Sequence, residues 1–417
     1  MKHFLLLIFS LFIGQTSWAQ EVRTIDWQKD LDTLAKKLPE RHYNFFTLRS
    51  REDFQQGLAA LKAESKNLSD VQVAIKAQQL IAGFGDSHTR LDPGPVMDLT
   101  RLLPLGLMCF DNKYYVLRTA PQYEKILGCR LTAINHIPLP TVLDSLSTLM
   151  TLDNPASLKA QIPYMLPFAS ILEAFGFIKD TTVLASFETP DRKELVIEIK
   201  PDASDFSKMV SYQPDSLSFC YQNANVLFTD LYLPDDQTYY ILYNKCWNRE
   251  LEEANGNKEK AAGLPSFKEL EERTFTLLHT KPVRKIVFDV RFNGGGNSYP
   301  ATEFAKKLAN FLQTHPQIKT YVVLGRYTFS SGILNALDFK RLTNAVFVGE
   351  ETAGKPNHFG EIRSFRLPES GIEVIYSTNF FKNTDEDIHT LIPDIPVETT
   401  FSDYSKGIDP VYECIKR

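Results

Sequence analysis

Two stretches of this 417-residue chain combine residue types that do chemistry with a spacing that simple connections rarely need. The first is Asp289-Val290-Arg291-Phe292-Asn293-Gly294-Gly295-Gly296, which follows an apolar run at 286–290. Three successive glycines cost conformational entropy, so they point to backbone that approaches another group closely or exposes its N–H donors; a tight turn is the plain alternative. The second is Arg326-Tyr327-Thr328-Phe329-Ser330-Ser331-Gly332, where small hydroxyl residues open a helix expected over 333–342. A helix start holds unpaired N–H donors and a partial positive charge, which suit either a capping serine or a developing oxyanion.

Three more segments bear on that choice: Gly349-Glu350-Glu351-Thr352-Ala353-Gly354-Lys355-Pro356-Asn357, the early Asp86-Ser87-His88-Thr89, and Asp387 with Pro393-Asp394-Ile395. In order and content these motifs resemble the tricorn and C-terminal-processing (tail-specific) serine peptidases. There, a strand ending in D-x-R-x-N-G-G-G is followed by T-x-S-[AS] and then by G-E-x-T-x-G-K. The resemblance spans essentially the whole chain after its first residues. It implies a crotonase-like layered α/β catalytic core, an N-terminal helical domain and a degenerate PDZ-like region. It also implies Ser330 as nucleophile, with the N–H of Ser331 and that of Gly294 or Gly295 as oxyanion donors. Gly332 departs from the Ala-x-Glu stretch common after the family's serine.

The resemblance leaves two candidates for the base. His88, preceded by Ser87, matches the tricorn-type arrangement, with Asp387 standing where those enzymes carry Glu. Lys355 matches the lysine of a Ser-Lys dyad. A histidine with an ordinary pKa of about 6.5 serves near neutrality without a large shift, whereas a lysine must be depressed by burial, so His88 is preferred. His358 and Asn357, close to Lys355 in sequence, are candidate substrate contacts.

These side chains need elements to hold them. Apolar residues at Trp27, Leu31, Leu34, Ala35 and Leu38 fall on one helical face, and Ser50 and Ser69 open two more helices, the last stopping near Gly83. Residues 20–92 thus read as a helical domain. The stretch 100–200 is strand-rich, with strands at 114–117 and 130–135, a hairpin of 183–187 and 195–199, and helical material over 155–177. Its segment 127–139 resembles the later part of a PDZ-type module, although a carboxylate-binding loop has no clear match. Residues 201–222 read as a linker. From 223 to 417 the pattern becomes alternating strands and helices, with strands at 239–243, 286–290, 321–324 and 345–348, the signature of a layered α/β core.

Composition sets the outer bounds. With 46 Lys+Arg against 51 Asp+Glu the net charge is −5, which excludes a polybasic nucleic-acid binder. Lys2, the apolar run 4–14 and Ser17-Trp18-Ala19 form a leader expected to be cleaved after Ala19, giving an exported periplasmic or extracellular protein. That run is too short to span a bilayer, which takes roughly 20 residues. Five scattered cysteines imply no disulfide framework, and neither HExxH, CxxC nor a phosphate-binding glycine motif occurs, so no metal or nucleotide cofactor is expected. The expected activity is peptide-bond hydrolysis on peptides or unfolded protein tails. An esterase of the same geometry and a catalytically silent peptide- or lipid-binding protein are the rivals. Oligomeric state and peptide specificity are not legible.

Overall fold

The helices begin where side chains can take up the free N–H groups of a first turn. Asp26 caps Trp27–Arg41, while Ser50 and Ser69 close capping boxes with Asp53 and Gln72 at the heads of Arg51–Glu64 and Asp70–Ala82. The computed structural model describes residues 25–202 and 206–417. The expected leader, 1–19, lies outside the described residues. Among those described, no helix is long and apolar enough to cross a membrane.

The three N-terminal helices do not close a core by themselves. Leu31, Leu34, Phe54, Leu58 and Ile81 pack against Phe365, Ile372, Val374 and Tyr376. The latter belong to an antiparallel hairpin, His358–Arg366 and Glu373–Phe381, whose second strand also pairs with Arg90–Asp92. The sequence reading did not include this hairpin. Its first strand is broken by Glu361 at φ 51°, and four consecutive exposed residues, 361–364, erase the two-residue alternation that marks a half-buried strand.

The middle of the chain forms an antiparallel sheet in the order Leu105–Phe110, Lys113–Thr119, Arg130–Ile134, Val183–Glu188, Glu194–Ile199. The expected hairpin is present, with Phe187 opposite Leu195. Helices Leu139–Ser147 and Pro155–Met165 cover one face. The stretch read as a linker carries structure of its own. Val210–Ser211 pairs with the edge at Arg118 and Thr119, and Phe219–Gln222 forms a short helix with Cys220 buried. Its Ser, Asp and Pro content concealed these few apolar anchors.

The third sheet positions the chemistry. Its order is Ile395–Pro396, Val346–Gly349, Lys319–Leu324, Lys285–Asp289, Thr238–Tyr243, Phe228–Leu233, parallel except for the last strand. Helix Tyr299–Gln313 contributes Phe304, Ala305 and Leu308 to one core face, packed with Phe288 and Phe339. Three adjacent parallel strands therefore release their following loops side by side at one edge, where open α/β sheets place their sites.

Candidate active site

Those three loops are the ones with unusual sequences, and their side chains explain why. Asp289 ends its strand fully buried and accepts from the N–H of Arg291 at 2.9 Å and from its Nε at 2.8 Å. The Arg291 guanidinium continues to both oxygens of Asp409, at 3.1 and 2.9 Å. Asn293 then organises the glycines. Its Oδ1 accepts from the Gly295 N–H at 2.9 Å, its Nδ2 donates to the Tyr243 carbonyl at 2.8 Å, and its own carbonyl accepts from the Phe329 N–H at 3.0 Å. The glycine loop and the serine loop are thus stitched together.

Thr328 makes the second stitch. Its hydroxyl donates to the Val290 carbonyl at 2.8 Å and accepts from the Gly325 N–H at 3.1 Å. Ser330 follows at φ 50°, ψ −125°, a left-handed backbone conformation that side chains rarely adopt and that costs about 1–3 kcal/mol. It stands immediately before the helix Ser331–Thr343, and its hydroxyl has no hydrogen-bond partner among the described residues. A strained turn that presents a half-buried hydroxyl at a helix start is what a nucleophile needs, whereas a capping serine would bond back into its helix; Ser330 does not.

Of the three expected oxyanion donors, the N–H groups of Ser331 and Gly294 are taken by no described acceptor. The Gly295 N–H, the other sequence candidate, is committed to Asn293 and is not a free donor. Gly295 has a different use. A Cβ there would lie 2.8 Å from the Ser330 Cβ and 3.1 Å from the Ser331 nitrogen, so the missing side chain keeps this corner open. Gly332 is explained the same way, since a Cβ would meet the Asn293 carbonyl oxygen at 2.6 Å. Ser331 turns its hydroxyl to the Gly296 carbonyl at 2.7 Å, away from any reactive role. The third loop is tied on by Arg326, which forks onto Glu350 with two bonds of 2.7 Å.

The N-terminal turn brings His88 to this corner. Its ring stacks on Phe329, the residue before Ser330, with centroids 4.5 Å apart, and lies 5.6 Å from the ring of His358. Both ring nitrogens of His88 are buried and without a hydrogen-bond partner. Burial pushes its pKa down to about 4, against the opposing pull of Asp86, so the ring is neutral at pH 7. Asp86 is the acid beside it, with Oδ1 3.9 Å from Nδ1. Asp86 also accepts the His88 backbone N–H at 2.8 Å and the His42 Nε2 at 2.9 Å. Burial alone would raise the Asp86 pKa, but hydrogen bonds from His42, Ser377 and Thr89 hold it at about 2.

Asp387, expected beside His88, pairs instead with Lys355, Nζ to Oδ2 3.5 Å, and its side chain is 62% exposed. Lys355 is thereby engaged with an acid. His358 donates from Nδ1 to the carbonyls of Lys355 and Pro356, at 2.9 and 3.0 Å, leaving its buried Nε2 without a partner; burial lowers its pKa. The Asn357 side chain is engaged within the chain. Its Oδ1 accepts from the N–H groups of Asn383 and Thr384, and its Nδ2 donates to the carbonyls of Thr384 and Glu386, which exhausts the amide. It clamps the segment that carries Asp387. Ser87 lies half-buried in the same turn as His88; the Oδ2 of Asp153, a residue the sequence does not single out, is buried without a hydrogen-bond partner. Only the Asn154-Pro155 helix start marked that neighbourhood.

No family model matches the sequence, and no curated protein matches it. Solved structures do. Mature CPAF complexed with lactacystin superposes with a TM-score of 0.62 at 13% identity, covering 93% of this chain and 97% of that one. Mature CPAF alone gives 0.60 at 12%, covering 93% and 96%. The tricorn protease aligns over 93% of this chain and 36% of its own, with a TM-score of 0.43 at 14%. The mixed α/β architecture built from the three sheets is the fold of mature CPAF, shared along nearly the full length of both chains.

Proposed function

We propose that this chain is a serine peptidase that cleaves peptides or unfolded protein tails through an acyl-enzyme on Ser330, with His88 as general base. The observation that carries the reading is the convergence of a strained, unpartnered Ser330, two unclaimed N–H groups at Ser331 and Gly294, and a neutral imidazole stacked on Phe329. In this mechanism the Ser330 Oγ attacks the substrate carbonyl carbon while His88 takes its proton. The carbonyl oxygen becomes an oxyanion, for which the two N–H groups are fixed donors. Collapse expels the amine, which takes the proton from His88, and water repeats the sequence to release the acid. The motif order shared with the tricorn and C-terminal-processing peptidases supports the same reading.

A peptide is favoured over a small ester by a neighbouring edge. His358–Arg366 is the outer strand of its sheet and begins at the His358 ring beside His88. An extended chain can add to such an edge through main-chain hydrogen bonds. Export by the leader at 1–19 belongs to the proposal, and the mature protein should begin at Gln20. The test is turnover of an unfolded protein and of a simple ester by the wild type and by Ser330→Ala. Cleavage of the protein, lost in Ser330→Ala, is expected. Ester hydrolysis without any protein cleavage would make the chain an esterase, and inertness toward both would leave a binding protein of this fold.

A further inference from the structure

Behind Asp86 stands a second histidine, and its hydrogen bonds fix where its proton sits. His42 follows the helix Trp27–Arg41, and its side chain is 1% exposed. Its Nδ1 accepts the backbone N–H of Asn44 at 3.0 Å, so that nitrogen carries no proton. The ring therefore holds its single proton on Nε2, which donates to the Asp86 Oδ2 at 2.9 Å. Phe45 and Phe359 lie against the ring in edge contacts, with centroids 5.5 and 5.1 Å away, and keep it from turning.

The same carboxylate is bound on its other sides. The Thr89 hydroxyl also donates to Oδ2, and Oδ1 accepts the His88 backbone N–H at 2.8 Å. The strand Glu373–Phe381 ties these segments together. Its Ser377 carbonyl accepts the Tyr43 N–H at 3.0 Å, and its Ser377 N–H donates to the Thr89 hydroxyl at 3.4 Å. Asp86 is thus fixed with its Oδ1 3.9 Å from the His88 Nδ1. Burial opposes ionisation of Asp86, and the His42 hydrogen bond is the largest effect that keeps its pKa down at about 2. A lysine or arginine in place of His42 would hold the carboxylate too, but would cancel its charge; a neutral imidazole N–H leaves that charge to act on His88.

We infer that His42 is a positioning residue of this site: as a neutral donor it aims the Asp86 carboxylate at the Nδ1 side of His88. The inference rests on reading Ser330 and His88 as nucleophile and base. The Asp86 charge then favours the His88 tautomer protonated on Nδ1, leaves Nε2 bare for the Ser330 proton, and stabilises the imidazolium that forms. No bond is made or broken at His42 itself.

The experiment reads the ring nitrogens of His42 and His88 by NMR at pH 8, and the rate of fluorophosphonate labelling at Ser330, in the wild type, His42→Gln, His42→Phe, Asp86→Asn and the His42→Phe/Asp86→Asn double variant. In the wild type His42 should carry its proton on Nε2 and His88 on Nδ1. A His42 protonated on Nδ1, or on both nitrogens, would overturn the inference before any variant is made. His42→Phe, which keeps the bulk and loses the donor, should mix the His88 tautomers and slow labelling about tenfold, while His42→Gln, whose amide N–H replaces the donor, should stay within about threefold of the wild type. Asp86→Asn should slow labelling about 10²-fold, and the double variant should be no slower, because His42 acts through Asp86. Equal losses in His42→Gln and His42→Phe, or losses that multiply in the double variant, would also overturn the inference. A His88 tautomer that depends on His42 in this way, in a protein whose Ser330 is never labelled, would uphold the role of His42 and remove the peptidase reading instead.

Discussion

The two halves of the candidate site are built on opposite principles. Around Ser330 nearly every polar group is paired: Asp289 with Arg291, Asn293 with three backbone groups, Thr328 with two, Arg326 with Glu350. Among the described residues, what remains unpaired there is the Ser330 hydroxyl and the N–H groups of Ser331 and Gly294. Around His88 the reverse holds. Both of its nitrogens, the Nε2 of His358 and the Oδ2 of Asp153 are buried and unpartnered. A fully satisfied network fixes geometry, while unsatisfied buried groups are found where a proton or a ligand is to be received. The nucleophile side is therefore preorganised, and the base side is poised.

That contrast can be broken in several ways. The largest effect is expected from His88→Ala, which should lower kcat/KM by about 10³-fold or more, whereas Lys355→Met should lower it about tenfold, because Lys355 is held by Asp387. A silent Lys355→Met enzyme beside a nearly normal His88→Ala enzyme would exchange their roles. Next comes Gly295→Ala. Its φ of 104° and the 2.8 Å approach to the Ser330 Cβ predict a loss of about 10²–10³ in kcat from a displaced oxyanion corner, measured as steady-state turnover with KM little changed.

The smallest effect concerns stability. At pH 8 His88 is neutral in both folded and unfolded chains and adds no pH dependence. As the pH falls below 6.5 the unfolded chain takes up a proton that the folded ring refuses until about 4. Folding is therefore penalised progressively across that window, by about 3 kcal/mol at roughly 1.36 kcal/mol per pKa unit, and no further below it. Denaturant unfolding of the wild type and His88→Gln at pH 7 and pH 4 should show the variant spared that loss. Equal losses in both proteins would mean that the ring is protonated in the folded state.

The same division decided how much could be read in advance. The nucleophile side is local. Asp289 to Gly296 and Thr328 to Gly332 each span a single strand-to-helix connection, so a strand, its turn chemistry and a helix start are all present in a short window. The parallel strands and capped helices were legible for that reason. The base side is assembled from 86–88, 151–154, 355–358 and 387–389, and nothing within any one of these windows states that the others are near. Asp387 was placed beside His88 by resemblance, yet Lys355 holds it. Asn357 looked available for substrate because a sequence does not show that four backbone groups of 383–386 already use it. Asp153 carried no signal beyond its neighbour's helix cap. The hairpin 358–381 was missed because its burial depends on helices more than 270 residues earlier in the chain.

The central claim, that Ser330 is a nucleophile served by the free N–H groups of Ser331 and Gly294, is tested most directly by fluorophosphonate labelling followed by peptide mapping. The account predicts a single adduct on the Ser330 Oγ, absent in Ser330→Ala and strongly reduced in His88→Ala. An adduct on Ser331, whose hydroxyl is bound to the Gly296 carbonyl, or active protein with no adduct at all, would contradict it.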